Sequence, residues 1–154
     1  MAPVTPRELE GTIEALQAVR SLDEIQRLCQ VQCQALGFDR FIFAMRVPVQ
    51  FAEARLLMIN GYPPGWVEHD FEQGYAQHDP VMAHCSSRVT PLAWHDLHRH
   101  SEGVARQVMG EAGEIGLRDG VTAPVHSPHG EMGVLSFALG GSPSTCREVV
   151  GQSV

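Results

Sequence analysis

Tyr62, Trp66, Asp79 and Trp94 stand within the middle third of the sequence and combine two indoles, a phenol and a carboxylate. A pocket for an amphipathic guest needs mostly apolar walls and a few fixed polar groups. Trp and Tyr supply both at once, a large apolar face and one hydrogen-bonding handle. The same aromatics also suit an ordinary core, so residue types alone leave binding and packing both open.

Other chemistry finds less support. The eight histidines include the cluster His95, His98 and His100, and His84 adjoins Cys85. Zinc sites need three or four converging ligands at recurrent spacings such as Cys-x2-Cys or His-Glu-x-x-His, and none is present. These histidines read as surface residues on a polar loop, and no metal is expected. There is no Gly-x-Ser-x-Gly elbow and no phosphate-cradling Gly-x4-Gly-Lys-Ser/Thr. His84 and Cys85 are sequence neighbours, which rarely point at one another. No catalytic residue is assigned, and the chain is not expected to be an enzyme. Cys29 and Cys33 lie four apart on an expected helix and read as small buried hydrophobes.

The formal net charge is −7, with 11 Lys plus Arg. Nucleic-acid binding needs cations along the phosphates, so this segment is not expected to bind DNA by itself. No apolar run approaches the roughly 20 residues that span a bilayer. The start, Met-Ala-Pro-Val-Thr-Pro-Arg-Glu, lacks the basic-then-apolar order of a signal peptide. A soluble cytoplasmic protein with no membrane partner is expected.

The elements that must position these residues follow from periodicity. Residues 1–7 read as a loose start. Leu9, Ile13, Leu16 and Val19 are spaced as one helix face. Ser21 with Glu24 forms a capping-box pattern for a second helix, whose stripe is Ile25, Leu28, Cys29, Ala35 and Leu36, with Gly37 as its stop. The period then changes to two: Phe41, Phe43, Met45 and Val47 alternate with Arg40, Ile42, Ala44 and Arg46. Residues 54–59 read as a second strand ended by Asn60-Gly61. Pro63 and Pro64 suit the first turn of a helix carrying Trp66, Val67, Asp70 and Phe71. Asp79 is placed to cap a further helix with Pro80 at its first position. Residues 91–94 read as extended, 102–115 as helix, and 120–127 and 132–139 as strands joined by a turn at Pro128-His129-Gly130. Gly140 to Ser144 reads as loop, followed by a helix beginning near Thr145 that the chain is too short to complete. The order gives an α/β fold, an antiparallel sheet with helices on both faces.

Three segments carry a resemblance. Tyr62-Pro63-Pro64-Gly65-Trp66, Gly74-Tyr75-Ala76-Gln77-His78-Asp79-Pro80 and Pro91-Leu92-Ala93-Trp94 closely resemble the autoinducer-binding domain of LuxR-type quorum-sensing regulators. Gly116 to Thr122 and Gly133 to Phe137 are similar to that domain's closing hairpin. The resemblance is strongest over residues 22–139, and the whole chain, 1–154, is read as one such domain.

The resemblance implies an α/β/α sandwich, GAF/PAS-like, around an antiparallel sheet of about five strands, enclosing an N-acyl homoserine lactone as ligand, with no cofactor. It implies that the Trp66 indole N–H donates to the lactone carbonyl and that Asp79 accepts the ligand's amide N–H. Tyr62 would help hold the acyl amide carbonyl, and Trp94 would pack on the lactone ring. Thr122 and Ser136 match positions of polar pocket contacts in some members. A buried carboxylate is costly unless hydrogen-bonded, and the ligand amide would satisfy Asp79. Small residues Ala44, Ala54 and Ala123 are candidates for making room for a long acyl chain.

Two departures qualify the match. Asp70 stands where the family usually has tyrosine, four residues after Trp66 and so on the same helix face. That aspartate motivates the alternative of a relative sensing a non-lactone molecule, with Phe71 rotated in to supply the lost aromatic wall. The family also continues into a DNA-reading helix-turn-helix domain that this chain does not contain. It is expected to be an excised domain or a truncated regulator, the latter acting as a dimerisation inhibitor of a full-length partner. A homodimer is expected, with DNA reached only through the missing domain.

Overall fold

Both faces of the strand read from Phe41 to Val47 are covered, and this organises the molecule. The computed structural model describes residues 4–151. In it β1 (Arg40–Val47) lies between β2 (Arg55–Asn60) and β5 (Met132–Leu139). β4 (Asp119–His126) pairs with β5, and the short β3 (Leu92–Ala93) closes the far edge. The order is β2-β1-β5-β4-β3 and every pair is antiparallel.

Successive side chains on a strand face opposite sides. Phe41, Phe43, Ile59, Phe137 and Leu139 pack on one side with Cys33 of α2 (Leu22–Ala35) and with Cys146 and Val150 of α7 (Pro143–Gly151). Ala44, Val134 and Ala138 face the other side. There they meet residues of four helices: Trp66 of α3 (Trp66–Gln73), Val81 and Cys85 of α4 (Pro80–Ser87), Trp94 of α5 (Trp94–His98) and Met109 of α6 (Gly103–Glu114). The result is the expected α/β/α sandwich around five antiparallel strands.

Local signals set the helix ends. Asp79 caps α4, its Oδ1 accepting the Val81 amide at 2.8 Å, with Pro80 at the first helical position. Gly37 takes φ 86°, the left-handed conformation that ends α2. Ser21 accepts the Glu24 amide as expected, but Glu24 reaches past it to the Arg20 amide at 2.7 Å.

Several expectations need correction. Of the loose start over 1–7, residues 1–3 lie outside the described residues. Thr5 and Glu8 form a reciprocal capping box, so α1 (Pro6–Ala18) already begins at Pro6. Its apolar face is real but unburied: Leu9, Ile13 and Leu16 remain about half exposed, although α2 lies alongside, joined by the Gln32–Thr12 hydrogen bond at 3.3 Å. Pro63 and Pro64 precede α3 rather than open it. Gly65 at φ 82° turns the chain, and the helix starts at Trp66. The histidine segment 95–98 is helical, not loop. The loop after Leu139 is shorter than read, and α7 runs from Pro143 to Gly151.

α7 follows the last strand and seals the core face of the sheet, with Val150 at 0% and Cys146 at 1% exposure. Val150→Ala should therefore destabilise the domain by roughly 2 kcal/mol, from lost burial plus a residual cavity, measured as a lowered denaturation midpoint with unchanged slope.

Candidate functional site

The face of the sheet opposite α2 and α7 presents three successive rows of side chains. Register places Ser136 between Ile42 and Thr122, then Ala44 between Met58 and Val134, then Arg46 between Leu56 and Met132. Rows two residues apart on a strand are separated by roughly 7 Å. The surface thus grades from hydroxyl-bearing at one end, through apolar, to an outer row where Arg46 and Leu56 are exposed. Above it lies a cavity of about 650 Å³, bounded on the helix side by α3, α4 and α6.

Tyr62, Trp66, Asp70, Asp79, Trp94 and Ser136 all line this cavity. Six of the seven residues singled out from sequence are brought together. The seventh, Thr122, is fully buried behind the wall. Its Oγ1 accepts the Trp94 indole N–H at 2.8 Å and lies 2.8 Å from Ser136 Oγ. Its part is to fix Trp94 and Ser136 rather than to face the cavity. Ala44 and Ala54 line the cavity as expected. Ala123 does not: strand alternation between Thr122 and Pro124 turns it to the other face. Phe71 does reach the cavity, though from a position 62% exposed.

Gly120 lets Trp94 settle against the sheet. A Cβ there would stand 2.4 Å from the Phe137 carbonyl oxygen and 3.1 Å from the indole ring. With its N–H already given to Thr122, Trp94 offers the cavity its apolar ring. The Trp66 indole N–H, by contrast, meets no acceptor among the described residues.

Asp79 is the most perturbed carboxyl of the site. Burial pushes it up to about 6, the Val81 and Met82 amides pull it down, and the Asp70 charge adds to the rise. Two amides leave part of its lone-pair capacity open, since a carboxylate accepts at about four positions. Burial also raises Asp70, opposed by His69. Burial raises the Tyr62 phenol; a Ser136 hydrogen bond opposes this and the Asp79 charge adds to it.

A cluster that sequence reading missed holds α3 in place. Glu111 Oε2 accepts from Tyr75 Oη at 2.9 Å and lies 2.8 Å from His69 Nε2, while Gln107 Nε2 donates to Glu111 Oε1 at 2.9 Å. Hydrogen bonds from Gln107, His69 and Tyr75 hold Glu111 down to about 2. The His69 ring lies 5.8 Å from Trp66 and 5.6 Å, edge-on, from Tyr75. The only sequence cue was the i, i+4 pair Gln107 and Glu111; its distant partners lie more than thirty positions away.

The histidine and thiol candidates are accounted for structurally. His84 Nε2 sits 2.8 Å from the Thr90 carbonyl, and burial pushes the Cys85 thiol up to about 11, which disfavours its thiolate form. His95 Nδ1 lies 3.1 Å from Asp119 Oδ2, whose Oδ1 takes the His95 and Gly120 amides. Among the described residues no group of three His, Cys, Asp or Glu is placed to hold a metal. No helix among them is long and apolar enough to cross a membrane.

Comparison with known proteins bears on the family and the fold. The profile of the family described as the autoinducer binding domain matches residues 21–148. The transcriptional activator protein AnoR of Acinetobacter nosocomialis is 29% identical over 129 residues, covering 84% of this chain and 54% of that protein. The transcriptional activator protein LuxR of Aliivibrio fischeri is 24% identical over 130 residues, covering 84% and 52%. The chain spans about half the length of these curated relatives. Among solved structures, the N-acylhomoserine lactone dependent LuxR family factor CepR2 of Burkholderia cenocepacia superposes with a TM-score of 0.71 at 20% identity, covering 94% of this chain and 87% of that one. SdiA of Escherichia coli gives 0.73 at 23% identity, covering 94% and 63%. At these identities the structural likeness speaks for the fold.

Thr122→Val keeps shape but removes the hydroxyl that pairs with Trp94 and Ser136. Leaving a buried donor unpaired costs about 1–3 kcal/mol. The variant should melt lower than wild type, and its Trp94 fluorescence should shift as the indole loses its anchor.

Proposed function

This chain belongs to the autoinducer-binding domain family of LuxR-type regulators, and from that premise we propose that its cavity receives an N-acyl homoserine lactone as a signal. The observation that carries the reading is the convergence of Tyr62, Trp66, Asp79 and Trp94 on one cavity, with an apolar sheet surface leading away from them.

In this reading the ligand lies along the graded sheet face. Its amide N–H donates to the open positions of Asp79, and its lactone carbonyl accepts the Trp66 indole N–H. Tyr62 donates to the acyl carbonyl, and the Trp94 ring packs on the lactone. The acyl chain runs over Ala44, Met58 and Val134 towards Leu56 and Met132. No bond is made or broken; the protein contributes binding, orientation and exclusion of water.

The reading extends to the whole regulator. The chain acts in the cytoplasm as half of a homodimer, and DNA contact belongs to a C-terminal domain outside this sequence. Its own charge of −7 makes it a poor ligand for phosphates.

A ligand that binds only the folded state stabilises it by about 2.7 kcal/mol at a hundredfold excess over its dissociation constant. A panel of lactones from short to long chains should contain at least one that raises the melting temperature by several degrees. Trp66→Ala or Asp79→Ala should remove most of that rise. A melting curve unmoved by the entire panel would falsify the reading.

Asp79 also makes binding depend on pH. Its pKa is raised from 3.8 to about 6, so the ligand-free domain takes up a proton there as pH falls through about 6. The amide N–H needs the ionised form, and binding pulls the pKa back down. Lactone affinity should therefore be full above pH 7 and weaken progressively as pH falls through 6. Calorimetric titrations across that range check this. Asp79→Asn, which retains a capping oxygen for α4, should flatten the dependence while lowering affinity at pH 7.

A further inference from the structure

Asp70 lines the cavity one turn beyond Trp66 on α3, and its half-buried carboxylate receives no hydrogen bond from any described donor. The Trp66 indole N–H, one turn away, makes no hydrogen bond to it, and other donors of this region are committed elsewhere. His69, Tyr75 and Gln107 all converge on Glu111, and Gln107 also donates to the Tyr75 hydroxyl at 3.1 Å. The Asp79 carboxylate, within electrostatic reach of Asp70, offers only lone pairs. An ionised carboxylate is an acceptor and nothing else, and burying one without donors is unfavourable. The described side chains leave the acceptor positions of Asp70 open to the cavity.

Resting on the lactone reading above, we propose that Asp70 is a specificity-determining residue that accepts a hydrogen bond from a hydroxyl on the guest's acyl chain, so that the pocket prefers 3-hydroxyacyl to 3-oxoacyl homoserine lactones. With the amide N–H on Asp79, carbon 3 of the acyl chain lies two bonds beyond the acyl carbonyl carbon and can carry a donor. A hydroxyl there supplies the missing donor. A 3-oxo group presents lone pairs to a negative charge, and an unsubstituted chain leaves the carboxylate unsatisfied. Asp70 thus adds a second carboxylate criterion, which reads the acyl chain where Asp79 reads the amide.

The test uses three lactones of equal chain length with 3-hydroxy, unsubstituted and 3-oxo acyl groups, titrated calorimetrically into the whole protein at about pH 8, where carboxylates are ionised. Wild type should bind the 3-hydroxy compound roughly tenfold more tightly than the 3-oxo compound. Asp70→Asn, whose amide both donates and accepts, should bring the two within about threefold. Wild type with no preference, or with the 3-oxo compound favoured, overturns the proposal, and this ranking needs no variant. So does an Asp70→Asn protein, folded by its melting curve, that keeps the wild-type ratio. If at least one lactone binds but the ratio fails, only the role of Asp70 is lost. If none of any chain length binds, the lactone reading fails and this inference goes with it.

Discussion

An ionised carboxylate in an apolar cavity must collect donors, and Asp79 collects only some of its complement from the protein. The first amides of α4 supply two, aided by the positive end of the helix dipole. The same residue therefore starts a helix and leaves acceptor capacity facing the cavity. Pro80 completes this arrangement: it has no N–H of its own, so the side chain passes over it to Val81. Folding sets the cap, and the cap fixes where the open acceptor positions of Asp79 meet the cavity.

The remaining walls are held from behind, by polar networks that lie mostly outside the cavity. Thr122 fixes the plane of the Trp94 indole and ties it to Ser136 across two strands. Asp119 receives the amides of His95 and Gly120 and so anchors the start of α5, which carries Trp94. Glu111 draws together His69, Tyr75 and Gln107, binding α3 and the turn at Tyr75–Gln77 to α6. Each network is satisfied within itself. Among the described residues the Trp66 N–H, the Asp70 carboxylate and the open side of Asp79 are left facing the void, while one buried oxygen of Glu131 is unpaired away from it. Supporting residues that keep first-contact side chains in place are what give a binding site its precision.

What could be read in advance follows the range of the interactions. Strands, the α4 cap and the Gly37 stop rest on neighbours within a few residues, and they are where the sequence places them. The candidate-site aromatics and Asp79 were legible because Tyr62, Trp66, Asp79 and Trp94 match a spaced pattern. Thr122 was legible as important, but its direction was not: a strand's alternation is visible in sequence, yet which row meets a cavity and which meets Trp94 depends on packing. The Glu111 cluster was invisible because its partners are joined only by the fold. α1 shows the converse. Its period correctly predicts a helix, but a period says nothing about whether anything lies against it, and Leu9, Ile13 and Leu16 stay exposed. α7 was misjudged because Gly-Gly-Ser-Pro reads as loop, while Cys146 and Val150 find a core face that local sequence does not reveal.

The cavity's polarity gradient is a consequence of sheet register. Ser136 opposes Ile42 and Thr122, and the next rows outward are Ala44 with Val134, then Arg46 with Met132. A slip of one residue between β1 and β5 would turn every side chain of the moved strand to the other face. A slip of β5 would send Ser136 into the core beside Phe41 and Ile59, and set Phe137 or Leu135 across the cavity floor. The burial that stabilises the opposite side, Phe41 and Phe137 under α2 and α7, is thereby the force that keeps hydroxyls at one end of the cavity and apolar side chains along the rest. Core packing on the opposite face of the sheet thus decides which end of the cavity is polar and which is apolar.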